Sequence, residues 1–228
     1  MTGGLRHPLL ERVGVTHCFG LRTTPVPPGL VRPRQVHGCQ VAEPDLGGNL
    51  RPEEADAVVS ALPELAVGIA TADCVPILAC TRSGRVVAAI HAGWRGLAVG
   101  VVRAGIGALR LRAASGEGLI AVIGPHIGSC CYEVDEPVCR ALRDRFGDEL
   151  TPALRAARPG HALLDLSRLV RAELLREGLT PECLGTVADS CTRCNADLFH
   201  SYRRDGIHAG RLIHYAVASS SASGSGPP

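Results

Sequence analysis

The sequence predicts a single domain of the α/β (α+β) class, with mixed β-sheets sandwiched between covering helices, on two observations. Short apolar runs alternate along the chain with longer amphipathic ones, and both kinds are bounded by Gly, Pro, Asp or Ser. The second is length: 228 residues is a size at which one hydrophobic core still suffices. Strands are expected at residues 65–70, 75–80, 86–90, 119–123 and 184–187. Helices fill the gaps. Residues 97–111 form one, entered from the glycine-bracketed 93–96, and residues 137–146 a second; residues 165–177 form a third, N-capped by Asp165 or Ser167 and stopped at Gly178. Residues 51–56 add a turn. The domain is expected to span residues 1–218. The tail 219–228, SSSASGSGPP, holds too little apolar area to offset its ordering entropy and is expected to be disordered.

Composition removes several classes of function. Hydrophobic residues make up 46% and charged residues 20%, as in a globular protein, while aromatics at 3% leave Val, Leu, Ile and Ala to fill the interior. The net charge is +2 and the basic residues are scattered, so no stripe suited to a phosphate backbone is present and nucleic acid is not expected as a partner. All 24 basic residues are Arg. Without Lys, Schiff-base chemistry and the phosphate-loop Lys are unavailable, and any anion must be gripped by Arg, backbone amides or metal. No run approaches the roughly 20 apolar residues of a membrane span, and no export signal is visible, so a cytoplasmic location is expected. The ten Cys are then expected to be largely reduced.

Chemistry concentrates in three segments: Arg34-Gln35-Val36-His37-Gly38, Ala72-Asp73-Cys74-Val75-Pro76 and His91-Ala92-Gly93-Trp94-Arg95-Gly96. Each offers one soft or borderline ligand. Two imidazoles and one thiolate form a three-ligand set for catalytic zinc that leaves a fourth position open. Taken singly, Cys74 reads first as a buried hydrophobe and His37 as a satisfied imidazole. His91 ends an apolar run and enters a turn into a helix, a rigid position from which active-site residues project. Gly93 and Gly96 either permit close backbone approach or only serve the turn, and Trp94 reads as a packed anchor.

In this order, Gln-Val-His-Gly at 35–38, Thr-Ala-Asp-Cys-Val-Pro-Ile-Leu at 71–78, His-Ala-Gly-Trp-Arg-Gly at 91–96, Gly-Pro-His-Ile-Gly-Ser-Cys-Cys-Tyr-Glu-Val at 124–134 and Ser-Tyr-Arg-Arg-Asp-Gly at 201–206 resemble a known family. It is the family labelled multicopper polyphenol oxidase or laccase-domain proteins, also treated as purine nucleoside phosphorylases, with a branch associated with peptidoglycan editing. The resemblance runs from about residue 15 to 215 and includes Asp56-Ala57, Asp165-Leu166 and Cys191-Thr192. It implies zinc at His37, Cys74 and His91, and phosphorolysis of adenosine, inosine and methylthioadenosine, with adenosine deamination as a second activity. The partners implied are a small-molecule nucleoside and phosphate. One departure is the short proline-rich bridge at 24–33, where the family carries a longer stretch. It implies a more open site, a shifted substrate preference or weakened activity.

A multicopper reading conflicts with the inventory, because such sites use many His, commonly in His-x-His pairs, with a Cys and an axial Met. This chain has nine His, no His-x-His pair and only Met1, so Cu2+ is expected only as an adventitious or alternative metal. The His-x-Glu and Pro-Cys-x-x-Cys signature of nucleobase deaminases is absent too. Arg95 is the first candidate for a bidentate phosphate contact, the alternative being a salt bridge. Arg203 and Arg204 are further substrate-binding candidates, with one of the pair expected at the site. Asp73 is a catalytic candidate, either supporting the neighbouring ligand or capping a strand, and Tyr132 is a substrate-binding candidate that also reads as packing. Cys130 and Cys131 read as filler, metal neighbours or redox-sensitive thiols. Cys191-x-x-Cys194 looks like half of a zinc site, but no second Cys-x-x-Cys accompanies it, so it is given no ligand role. Two other functions compete: a Cys74–His nucleophile for amide hydrolysis, and a noncatalytic zinc-stabilised binding protein whose fourth ligand would be His126 or Cys131.

Overall fold

A computed structural model describes residues 3–187 and 191–220. The chain opens with helix α1 (Pro8–Glu11) and strand β1 (Thr16–Phe19). Then come β2 (Val41–Pro44), β3 (Leu50–Arg51), β4 (Ala57–Ser60), β5 (Ala66–Thr71), β6 (Val75–Thr81) and β7 (Val87–Ala92). Helices α2 (Trp94–Ala98) and α3 (Val101–Arg112) lead to β8 (Leu119–Ile123), β9 (Glu133–Asp135) and α4 (Glu136–Phe146). The remainder holds β10 (Leu154–Ala156), β11 (His161–Leu164), α5 (Leu166–Arg176), β12 (Leu184–Thr186), α6 (Tyr202–Asp205) and β13 (Leu212–Val217).

Seven strands form the main sheet in the order β12-β8-β6-β7-β4-β2-β3, and β1-β13-β5 form a second, smaller one. The main sheet is mixed, with β12–β8 and β2–β4 parallel and its other pairs antiparallel. Its two faces bury different things. Ile77, Ala79, Ala88 and Ile90 pack with Leu97, Ile106, Leu109, Leu142 and Leu169 of the helices. Their neighbours Leu78, Cys80, Val87 and Ala89 pack instead with Phe19, Val67, Ile69 and Ala216 of the small sheet. The result is three layers, helices over sheet over sheet, as the alternation of runs predicts. Burial on both faces is also why β6 and β7 read as unbroken apolar runs rather than as alternating ones.

Two local expectations are corrected. The helix expected over 97–111 begins earlier, at Trp94, and is divided at Gly100, whose φ of +87° is the left-handed conformation that interrupts a right-handed helix. Residues 51–56 make no helical turn; Glu54 forms an isolated bridge with Arg34 instead. The third helix behaves as read, with Asp165 Oδ1 accepting the Arg168 N–H at 3.0 Å and Gly178 at φ +83° just past its end. Within the bridge 24–33 the Val31 N–H donates to Ala66 O at 2.9 Å, so the short connection lies along β5. Of the tail, residues 221–228 lie outside the described residues, while Ser219 donates its backbone N–H to Gly84 O at 2.9 Å. Among the described residues, no helix is long and apolar enough to cross a membrane.

Candidate metal centre

Four neighbouring strands end at one edge of the main sheet, and their registers assemble the site. Pairing of β6 with β7 sets Val75 opposite Ala92 and Pro76 opposite His91, which carries Cys74 to the Gly93 end of β7. Pairing of β4 with β7 sets Ala57 opposite Ile90, so Asp56 stands beside His91, whose backbone N–H donates to Asp56 O at 2.7 Å. The parallel strand β2 brings the preceding loop to the same edge. There the donor atoms of His37, Cys74 and His91 all lie within 4.8 Å of one another. The two imidazoles stand nearly perpendicular, 77° between planes and 4.9 Å between centroids.

The loop that presents His37 is tied at both flanks. Gln35 clamps β5, donating from Nε2 to Ala70 O at 2.8 Å and accepting the Ala70 N–H on Oε1 at 2.7 Å. The next three amides wrap the Asp56 carboxylate: Val36 and Gly38 donate to Oδ2 at 3.1 and 2.6 Å, and His37 donates to Oδ1 at 2.9 Å. These bonds hold His37 at φ +60°, a left-handed conformation uncommon outside Gly. Sequence reasoning gave Asp56 no role. Its carboxylate is fully buried, and Oδ1 also accepts a hydrogen bond from His91 Nδ1 at 2.8 Å. That contact fixes the tautomer with the proton on Nδ1 and leaves Nε2 available to a metal.

The charges support one another. Burial works to raise the Asp56 pKa, but the hydrogen bonds from His91 and Gly38 outweigh it and hold the carboxyl below its usual value. Burial likewise pushes the Cys74 thiol up, yet the contacts with His37 and His91 prevail and bring it to about 6. For His91, burial favours the neutral ring, while Asp56 and Cys74 outweigh it and raise the pKa to about 9. A thiolate is therefore on hand, and a metal would displace the proton from Nε2 of His91.

The donor set fits a catalytic zinc: two imidazole nitrogens, one thiolate and, among the described residues, no fourth donor grouped with them. Neither residue that could close the site joins it. His126 Nδ1 lies 2.8 Å from Gly124 O, and Cys131 belongs to a separate cluster of thiols. The glycines are needed for close approach. A Cβ on Gly93 would stand 2.9 Å from Cys74 Sγ and 3.3 Å from His37 Cδ2, and one on Gly96 would stand 3.1 Å from Gly38 O. Gly93→Ala is accordingly expected to weaken metal retention about tenfold or more, the equivalent of an overpacking strain of about 1–3 kcal/mol. Competition with a chromophoric chelator measures this, and unchanged affinity would mean that the 36–38 loop yields without cost.

Around the trio the other candidates divide. Asp73 occupies a turn at φ +98° and is buried; Oδ1 accepts the Thr192 hydroxyl at 2.6 Å and Oδ2 the Arg203 N–H at 2.6 Å. Both oxygens are thus engaged, and Asp73 fixes the backbone that aims Cys74. Arg203 places its guanidinium 5.2 Å from the Tyr132 ring centroid. Arg95 is exposed, and its contact is the Trp94 ring at 4.4 Å rather than a carboxylate. Tyr132 lies among these groups: burial raises its pKa first, and the charges of Cys74, Arg203, Asp73 and Arg95 act on it next. Arg204 is different. Its guanidinium donates to the carbonyls of Thr192, Arg193 and Phe199 and to the Asp205 carboxylate, so it serves the chain rather than facing the trio.

Fold and site together define a mixed-sheet protein with an open two-histidine, one-cysteine donor set at a strand edge. The chain belongs to the family described as multi-copper polyphenol oxidoreductase laccase, whose pattern matches residues 17–219. A purine nucleoside phosphorylase of Pseudomonas aeruginosa is 41% identical over 170 residues, covering 75% of this chain and 66% of that protein. A protein named adenosine deaminase, from an unknown prokaryotic organism, is 34% identical over 192 residues, covering 81% and 73%. The crystal structure of a Neisseria meningitidis protein superposes with a TM-score of 0.73 at 34% identity, covering 84% of this chain and 75% of that one. The match to the Pseudomonas protein thus spans about two thirds of that relative's length, 66%.

Proposed function

We propose that this protein is a zinc-dependent purine nucleoside phosphorylase that cleaves adenosine, inosine and methylthioadenosine with phosphate and also deaminates adenosine. The observation that carries the reading is the open donor set of His37, Cys74 and His91, held by the buried Asp56 carboxylate. The names of the relatives support the substrate class. One thiolate and two imidazoles suit zinc, and copper enters such a site only as an alternative metal. Bound there, zinc supplies Lewis acidity toward an oxygen of the substrate or of water.

The chain's own residues supply the rest. In phosphorolysis a phosphate oxygen bonds to C1′ as the C1′–N9 bond breaks, and the leaving base takes the electron pair and a proton. Phosphate must be held against its own charge beside a thiolate, which calls for cations. Arg95 is the first of these: it is exposed, stacks on Trp94, and among the described residues has no carboxylate partner to compete for its fork. Arg203 is the second, steadied by the Tyr132 ring, whose flat face also offers packing for a base or ribose. Asp73 and Asp56 act as positioning residues. Replacing Arg95 by Lys is expected to raise the apparent KM for phosphate about tenfold, roughly one charge-assisted hydrogen bond, with the nucleoside KM little changed. Unaltered phosphate saturation would remove Arg95 from the mechanism.

The direct test is chromatography of adenosine and inosine incubated with metal-quantified protein, with and without phosphate and a chelator. Phosphate-dependent release of adenine and hypoxanthine that tracks bound zinc is the expected result. A second reading is favoured by the contact of the Cys74 thiolate with two imidazoles, the arrangement of a cysteine nucleophile for amide hydrolysis, including that of peptidoglycan precursors. Amidase turnover that survives chelation would select it. The noncatalytic closed-site reading requires a fourth protein donor, and neither His126 nor Cys131 stands with the trio.

A further inference from the structure

The vicinal pair Cys130-Cys131 and the Cys191-x-x-Cys194 turn meet: all four sulfurs lie within 4.8 Å of one another. Cys131 Sγ is 3.4 Å and Cys130 Sγ 3.8 Å from Cys194 Sγ. A disulfide would need about 2.05 Å, so these are four separate thiols. A tetrahedron of sulfurs about 2.3 Å from a central zinc has edges of about 3.8 Å. The missing partner of Cys191-x-x-Cys194 is therefore not a second Cys-x-x-Cys but adjacent cysteines some sixty positions upstream, at 130 and 131.

The surroundings are those of ligated thiolates. Gly128 donates its N–H to Cys191 Sγ at 3.2 Å, and Arg193 donates from its guanidinium to Cys131 Sγ at 3.4 Å. Such donors stabilise charge on sulfur and orient the ligand. Two tight turns present the four residues. One is closed by the Cys131 N–H on Gly128 O at 2.9 Å, the other by the Asn195 N–H on Cys191 O at 3.1 Å, and the Thr192 N–H joins them through His126 O at 3.0 Å. Gly128 leaves room for this approach, since a Cβ there would lie 3.2 Å from Cys191 Cβ and 3.3 Å from Cys130 Sγ. Cys130 and Cys194 are exposed, so neither serves as core filler.

We infer that Cys130, Cys131, Cys191 and Cys194 form a second, structural zinc site, closed by four thiolates and independent of whichever reaction the first centre supports. Zinc binding there displaces the thiol protons and forms four Zn–S bonds, with no change of oxidation state. Its place in the fold gives it a task. It pins the loop ending at Tyr132 to the segment whose Thr192 hydroxyl donates to Asp73, and so locks two walls beside Cys74. The four ligands come from two loops that, among the described residues, strand pairing joins only through the His126–Cys191 bridge.

The test is zinc content of the full chain prepared under reducing conditions. Wild type is expected to hold two zinc ions per chain, His91→Ala to keep one, and Cys194→Ser to lose one while keeping that of the first centre. Cobalt-substituted His91→Ala protein is expected to show the intense charge-transfer and tetrahedral d–d bands of a tetrathiolate. Because a cysteine variant can fail to fold, zinc-saturated wild type is also treated with a thiol reagent under native conditions. Cys130 and Cys194, although exposed, are expected to react only after a chelator is added. Zinc-saturated, reduced His91→Ala protein that binds no zinc would overturn the proposal. Prompt reaction of Cys130 and Cys194 in the presence of zinc, recovery of the four as disulfides, or iron in their place would do so as well.

Discussion

Replacing His91 or Cys74 with Ala is expected to abolish the proposed nucleoside cleavage and to empty the candidate metal centre, with the two variants differing in stability. A metal in this trio would have three protein ligands, and removing one is expected to weaken retention by at least the roughly 10–100-fold seen for the loss of a supporting contact alone. Cys74 is only partly buried, just before the start of β6, and its loss takes one counter-charge from His91 but leaves that imidazole paired with Asp56. His91 is buried against Asp56, so His91→Ala leaves that carboxylate without its imidazole partner. Breaking a buried pair from one side costs about 3–5 kcal/mol. Thermal unfolding of the metal-free proteins should therefore place Cys74→Ala near wild type and His91→Ala well below it, by about 10 °C for a chain of this size. Turnover at the wild-type rate in either variant would sink the site; equal melting temperatures would show that Asp56 does not depend on His91.

What the sequence disclosed and what it withheld follow from the range of the interactions. His37, Cys74 and His91 were legible because each stands in a distinctive local segment and the order of those segments resembles a known family. The inner strands β6, β7 and β8 were legible because both their faces are buried, which leaves continuous apolar runs. Strand β13 is hidden in the sequence because His214 and Tyr215 sit in its middle; His214 is fully buried and takes Thr71 Oγ1 as its partner at 2.8 Å. The break at Gly100 depends on one left-handed glycine within a run that otherwise keeps helical spacing.

The withheld part of the site lies in contacts that only the tertiary fold creates. Arg203 and Arg204 are adjacent and chemically identical, yet one lies over Tyr132 while the other is taken up by three carbonyls and Asp205. Nothing local distinguishes them. Cys191-x-x-Cys194 carries ligand spacing, but its partners follow no repeat of that spacing, so counting motifs misses the tetrad. Asp56 has the same character: an acid leading into the apolar run 57–59 is a weak signal until the β4–β7 register sets it beside His91.

Asp56→Asn should be the most damaging conservative change outside the ligands. The carboxylate accepts four hydrogen bonds, three from consecutive amides and one from His91, and is fully buried. An amide keeps one acceptor oxygen and turns its NH2 toward a donor that has nothing to accept it. With the NH2 at the Oδ2 position, the Val36 and Gly38 amides lose their acceptor and the loop carrying His37 is released. With it at the Oδ1 position, His37 N–H and His91 Nδ1–H face another donor, and His91 loses the contact that reserves Nε2 for metal. Either orientation weakens one ligand, and the lost buried charge removes compensation for the imidazole. The expected outcome is a metal affinity about 10–100-fold lower and a stability lower by about 3–5 kcal/mol. Chelator competition and denaturant unfolding measure the two separately. Excess zinc should restore much of the turnover without restoring the unfolding midpoint of the metal-free protein, which a residue acting directly on substrate would not do. If Asp56→Asn binds zinc as tightly as wild type, the ligands are held by their strands alone, and the three-amide cradle belongs to folding rather than to the site.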